Sequence, residues 1–158
     1  MPILERKDKL KLYTKTVKNY LNKVGRKLGF QVKPEWNTGT GNVDLVWYKK
    51  LEIPLMNEKD SLPIVGFEIE SSDRRRKHLK GDVFNLLSLS PSLGVIILIE
   101  KGFEGSEKKA EFDLKGNLVA IRKYISGFRG VSRLEVWTAK EVEQLFNRAF
   151  RTKNNFFK

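Results

Sequence analysis

The 158-residue chain contains no cysteine and a single histidine, His78. Without cysteine there can be no disulfide, no thiolate zinc site and no cysteine nucleophile. One histidine is also too few for a zinc site built from several imidazole ligands. The sequence therefore excludes thiol chemistry and multi-histidine metal chemistry.

Long apolar segments, internal repeats and low-complexity linkers are also lacking. The longest apolar run, near residues 93–99, is far shorter than the roughly 20 residues that a membrane span needs. Met1 is followed by mixed charges rather than by a secretory core, so we expect a cytoplasmic protein with no membrane span. The length suits a single domain, which we place over residues 1–150, followed by a loose basic tail over residues 151–158.

Positive charge is what the chain has in excess. Lysine and arginine number 31 against 19 aspartate and glutamate residues, which gives a formal net charge of +12 at pH 7. An excess of this size indicates a polyanionic partner, either a nucleic acid or an anionic membrane surface. No basic helix carries the aromatic apolar face that interfacial membrane binding requires, so a nucleic acid is favoured.

The spacing of apolar residues predicts an α/β protein. Apolar residues at steps of three and four predict helices over residues 10–28, 72–89, 114–125 and 139–150. Short apolar or alternating segments predict strands near residues 30–36, 43–48, 64–70, 95–99 and 134–137. The first three strands follow one another, and the later strands alternate with helices. This order predicts a mixed central β-sheet flanked by helices.

Acidic residues stand in two of the predicted strands. Asp44 has apolar neighbours on both sides, and Glu68 and Glu70, two positions apart, point to the same side of their strand. If the two strands are neighbours, Asp44 meets Glu68, which is repulsive unless a cation neutralises the carboxylates. Hard oxygen ligands suit Mg²⁺ or Mn²⁺. The alternative is that these acids pair with lysines at a sheet edge.

Two short motifs resemble those of a known superfamily. They are Asn-Val-Asp-Leu-Val, which contains Asp44, and Gly-Phe-Glu-Ile-Glu, which contains Glu68 and Glu70 and precedes a basic helix. Together they resemble the PD-(D/E)XK nucleases, whose fold is called restriction-endonuclease-like. The resemblance extends over the order of elements from the first helix to the strand near residue 99. It implies an αβββαβ core, which a C-terminal α-β-α extension would complete here.

The resemblance also implies roles for individual residues. In that superfamily the aspartate and the first acid of the second motif hold a divalent metal, assisted by the backbone carbonyl that follows. Here those groups would be Asp44, Glu68 and the carbonyl of Ile69. Glu70 stands where the superfamily usually has a lysine. It would hold a second metal, accept a proton from the attacking water, or mark an inactive relative.

Basic residues near these motifs are candidates for catalysis and for DNA contacts. In some superfamily members a lysine of the following helix reaches the site, and Lys77 or Lys80 would do so here. His78, Asp82 and Asn85 lie on one side of the same helix, which we interpret as a polar helix face, with a catalytic role for His78 as the alternative. The candidates for contacts to phosphates are Arg74, Arg75, Arg76, Lys77, Arg129 and Arg133.

The resemblance and the charge together favour a metal-dependent DNA endonuclease. The cofactor would be Mg²⁺ or Mn²⁺, and the substrate would be double-stranded or branched DNA. Because the chain is short, it has little room for loops that read bases. We therefore expect cleavage that is guided by DNA structure or has low sequence specificity. That activity is similar to the activity of junction resolvases or restriction enzymes, and we expect a homodimer that cuts two strands. The alternative is a non-catalytic nucleic-acid-binding protein on the same fold.

Overall fold

A computed structural model of the protein describes residues 3–53, 60–70, 75–99, 119, 122–128 and 133–157, with the backbone alone for residues 3–7 and 75–78. In chain order the elements are α1 (Ile3–Lys27), β1 (Gln31–Asn37), β2 (Asn42–Lys50), β3 (Ser61–Glu70), α2 (Arg75–Leu89), β4 (Leu93–Leu98), α3 (described over residues 122–126), β5 (Arg133–Thr138) and α4 (Ala139–Phe150). Each predicted strand is present. The predicted helix over residues 114–125 lies largely outside the described residues.

The described strands form one five-stranded sheet in the order β1-β2-β3-β4-β5. β1, β2 and β3 pair antiparallel, and β3, β4 and β5 pair parallel. Parallel neighbours need a crossover connection, which α2 provides between β3 and β4. The predicted α/β class and mixed sheet flanked by helices are confirmed.

Helices cover both faces of the sheet. On the first face α1 and α4 pack against the sheet, and Val17, Leu21 and Val24 are buried on the apolar stripe that the sequence predicts for α1. Gly29 has a φ of 89°, a left-handed conformation that glycine adopts without strain just after a helix end. On the second face α2 contributes Leu79, Val83, Leu86 and Leu89 to a separate buried cluster.

The C-terminal residues pack against the first face. Phe157 is only 8% exposed, and its ring lies 5.3 Å from the ring of Tyr13. The carboxylate of Glu143 in α4 accepts hydrogen bonds from the backbone N–H groups of Phe156 at 2.9 Å and Phe157 at 3.1 Å. Residues 151–156 are exposed, but the buried ring of Phe157 and the hydrogen bonds to the buried Glu143 carboxylate hold the end of the segment in place. The described residues 151–157 therefore do not form the loose tail that the sequence predicts.

Both outer strands of the described sheet carry features that oppose further strand pairing. β1 contains Pro34, which has no N–H to donate, followed by Glu35 with a φ of 50°. On β5 the carbonyl oxygen of Val136 accepts hydrogen bonds from Arg122 Nε at 3.3 Å and Nη2 at 3.1 Å. Across the residues that the structure describes, none of the helices has the length and apolar character to cross a membrane.

Candidate active site

The structure brings the acids of β2 and β3 together on the second face of the sheet. Leu45 pairs with Phe67 in the antiparallel ladder, so the next positions in the same register are Asp44 and Glu68. Asp44 Oδ2 accepts a hydrogen bond from the backbone N–H of Ile69 at 2.7 Å. Glu68 and Glu70 are both buried. The juxtaposition that the sequence predicts for Asp44 and Glu68 is present.

Glu68 lies in an environment that disfavours its charged form. Burial, followed by the negative charges of Asp44 and Asp82, raises the pKa of Glu68 to about 10. A side-chain hydrogen bond between Glu68 and Asp44 acts in the same direction. Asn85 opposes them, because its Nδ2 donates to Glu68 Oε1 at 3.2 Å. These surroundings therefore favour the protonated form of Glu68.

Asp82 of α2 adds a fourth carboxyl group to the cluster. Burial, followed by the charges of Glu70 and Asp44 and a hydrogen bond with Glu70, raises the pKa of Asp82 to about 7. Asp82 Oδ2 is buried and has no hydrogen-bond partner. Asp82 and Asn85 belong to the polar helix face that the sequence predicts, and this face meets the acids rather than solvent alone. The signal was available, since Asp82 lies three residues after the buried Leu79 and next to Val83. The side chain of His78 lies outside the described residues.

The four carboxyl groups match the ligand chemistry of Mg²⁺ or Mn²⁺. Glu68 and Glu70 are buried, and Asp44 and Asp82 are partly buried. The repulsion around Glu68 and Asp82, and the one carboxylate oxygen without a partner, are conditions that a cation would relieve. As the described side chains stand, no group of three or more histidine, cysteine, aspartate or glutamate residues is arranged to hold a metal ion. Hydrogen bonds to Ile69 and Asn85 hold the carboxyl groups instead. Metal binding would therefore require some of these side chains to turn.

The structure does not bring the described basic candidates to the acids in the way that it brings Asp44 to Glu68. Lys80 of α2 is exposed. Arg133 begins β5, two strands away from β3, and its exposed side chain forms an ion pair with Glu135 at 2.8 Å. The predicted candidates whose side chains lie outside the described residues are Arg74, Arg75, Arg76, Lys77 and Arg129.

No protein-family model, curated protein or solved structure matches this chain. A fold of the α/β class supports many unrelated activities, so the class does not identify the function. The function has to be inferred from the carboxyl groups and from the charge of the protein.

Proposed function

We propose that the protein is a metal-dependent endonuclease that hydrolyses phosphodiester bonds of DNA at a site formed by Asp44, Glu68 and Glu70. The observation that carries the proposal is the contact between the acids of β2 and β3 in a buried environment, within a chain of net charge +12. Buried acids that repel each other lower stability, so a functional role explains them better than a structural one does.

The element order supports a finer proposal for the fold. The sequence of α1, three strands, α2 and β4 is the αβββαβ order implied by the resemblance to the restriction-endonuclease-like fold. Asp44 lies on the second strand and the Glu68 motif on the third, at the positions that the resemblance implies. β5 and α4 follow this core, and we assign them to the C-terminal extension.

Asp44, Glu68 and the carbonyl of Ile69 would hold one Mg²⁺ or Mn²⁺ ion, with Glu70 and Asp82 next to it. When bound, the metal lowers the pKa of a water molecule and neutralises charge on the phosphate. The chain itself orients the acids, since the Ile69 N–H fixes Asp44. Glu70, in place of the lysine that the resemblance implies, accepts the proton of the attacking water or holds a second cation.

The excess of positive charge supports DNA as the substrate. Lysine and arginine neutralise backbone phosphates and position a duplex without reading its sequence. Lys80 on α2, the helix that covers the same face of the sheet as the acids, is exposed and available for such contacts. We propose double-stranded or branched DNA as the substrate and a homodimer as the cutting unit.

Cleavage of plasmid, forked and four-way-junction DNA with Mg²⁺ or Mn²⁺ tests this function. We expect the wild-type protein to cut at least one substrate. We expect Asp44→Asn and Glu68→Gln to lose cleavage and retain DNA binding, since both side chains keep their size and lose the negative charge that holds the metal.

Glu35→Gln is the matched control, because Glu35 lies on neighbouring β1 with an exposed side chain. It should cut like the wild type. If the wild-type protein binds all three DNAs but leaves them intact with either metal, the non-catalytic nucleic-acid-binding alternative is correct.

A further inference from the structure

Asn85 of α2 connects the acid cluster to the turn between β1 and β2. On one side its Nδ2 donates a hydrogen bond to Glu68 Oε1 at 3.2 Å. On its other side lies Gly41, where an added Cβ would sit only 2.5 Å from Asn85 Oδ1 and 3.2 Å from Nδ2. The amide group is therefore enclosed between a carboxyl group and a segment of backbone.

The turn against Asn85 is held firmly by its own hydrogen bonds. The backbone N–H and the hydroxyl of Thr38 both donate to the carbonyl oxygen of Gly41, at 2.9 and 3.0 Å. The N–H of Gly39 donates to Asn37 Oδ1 at 2.6 Å. A turn with these bonds presents a fixed surface, and only glycine at position 41 lets that surface approach the amide so closely.

We propose that Asn85 is a positioning residue that orients Glu68 for metal binding, and that the turn at Gly41 holds the Asn85 amide in place. This inference rests on the proposed function of the site. Residues that donate to a metal-ligating carboxylate fix its direction and charge state, and their loss typically weakens metal affinity by about 10- to 100-fold. Asn85 is the donor whose hydrogen bond favours the charged form of Glu68.

Two substitutions distinguish the effect of the Asn85 hydrogen bond from the effect of the contact between Asn85 and Gly41. Asn85→Leu keeps the number and branching of side-chain atoms but removes the donor. Gly41→Ala leaves Asn85 intact and pushes a methyl group against Oδ1, which lies at the flexible end of a side chain and can rotate away. We therefore expect Gly41→Ala to release Glu68 with little loss of stability.

Isothermal titration with Mn²⁺ measures the effect directly. We expect the dissociation constant to rise about 10- to 100-fold in Asn85→Leu and by a smaller factor in Gly41→Ala. The control is Gly81→Ala on the same helix, where an added Cβ meets no atom within 4 Å, and its affinity should be unchanged. In cleavage assays, excess Mn²⁺ should restore kcat in Asn85→Leu with an unchanged KM for DNA, which a merely structural defect would not show.

The outcomes distinguish the two proposals. If the wild-type protein binds Mn²⁺ and Asn85→Leu binds it within twofold as tightly, Asn85 does not position Glu68, and the proposed function stands. If the wild-type protein binds no Mn²⁺ at millimolar concentration, both proposals are wrong. Thermal unfolding without metal reports whether Asn85→Leu folds. If it does not fold, Gly41→Ala decides, and an affinity equal to that of the wild type overturns the inference.

Discussion

Glu68 and Glu143 are equally buried, with 3% of each residue exposed, but they lie on opposite faces of the sheet in opposite surroundings. Glu143 accepts hydrogen bonds from the hydroxyl of Tyr20 at 3.1 Å and from two successive backbone N–H groups. Glu68 has one amide donor, Asn85, and lies beside two other acids. Burial alone therefore does not indicate the role of an acidic residue. The number of hydrogen-bond donors around the carboxyl group determines whether its burial is compensated.

The comparison assigns different roles to the two faces. At Glu143 the donors compensate the negative charge of the carboxylate, and the same hydrogen bonds attach the C-terminal residues to α1 and α4. Burial, followed by the hydrogen bond and charge of Glu143, also raises the pKa of the Tyr20 hydroxyl. At Glu68 the single amide donor of Asn85 compensates less, and the carboxyl groups of Asp44 and Asp82 add repulsion. The first face is structural, and we expect the chemistry on the second.

Replacing Glu143 should produce the largest change. In Glu143→Gln an amide group would face the N–H groups of Phe156 and Phe157, and one of them would lose its acceptor. An unsatisfied buried donor costs about 1–3 kcal/mol, so we expect the free energy of unfolding to fall by about 3 kcal/mol. Urea unfolding measures it. Glu35→Gln, which removes only an exposed ion pair with Lys18, is the control and should change it by about 0.5 kcal/mol or less.

The same substitution at Glu68 should change the free energy of unfolding in the opposite direction. Glu68→Gln removes a buried acid from a repulsive cluster and keeps a partner for Asn85. We expect the metal-free protein to become more stable, by on the order of 2 kcal/mol, because the raised pKa of Glu68 is a cost at neutral pH. Urea unfolding in EDTA measures this. A loss of stability as large as in Glu143→Gln would show that the two sites are alike.

The pH dependence of the metal-free protein should give the smallest effect. The pKa of Asp82 is raised from 3.8 to about 7, so the folded state binds more protons than the unfolded state between these values. Asp82 contributes fully to the free energy of unfolding below pH 4. This contribution decreases as the pH rises towards 7, by about 1 kcal/mol or less per pH unit. Unfolding at pH 5, 6 and 7 in EDTA should therefore show a flatter dependence for Asp82→Asn. Parallel curves for the variant and the wild type would contradict the account.

Local patterns in the sequence were enough to predict the strands and the pairing of Asp44 with Glu68. Alternation fixes the face on which Glu68 and Glu70 lie, and the short turn between Asn37 and Asn42 makes β1 and β2 antiparallel neighbours. The apolar residues near position 96 predict a strand covered on both faces, and β4 is buried in this way. These features depend on residues close together in the chain or on the period of a strand.

Contacts between distant segments could not be predicted in this way. The buried Leu79 and Val83 mark the inward side of α2, on which Asp82 lies, but the acids that Asp82 meets belong to β2 and β3, and the local pattern of α2 does not identify them. Glu143 lies within the apolar stripe of Val142 and Phe146, which is a signal for burial, but its partners come from α1 and from the C-terminal residues. Phe157 is likewise buried by distant residues, since its ring packs against Tyr13 and Tyr20 of α1 and its N–H donates to the Glu143 carboxylate.

The features at the outer strands of the described sheet limit how copies of the protein can associate through them. A proline and a left-handed glutamate interrupt β1, and a guanidinium group occupies an outward carbonyl of β5, so neither strand offers a regular ladder to a second molecule. Fibrillar stacking through these strands is thereby discouraged. Self-association, where it occurs, is expected to use helical surfaces or connecting segments, and its strength then depends on side-chain fit rather than on continuous backbone pairing.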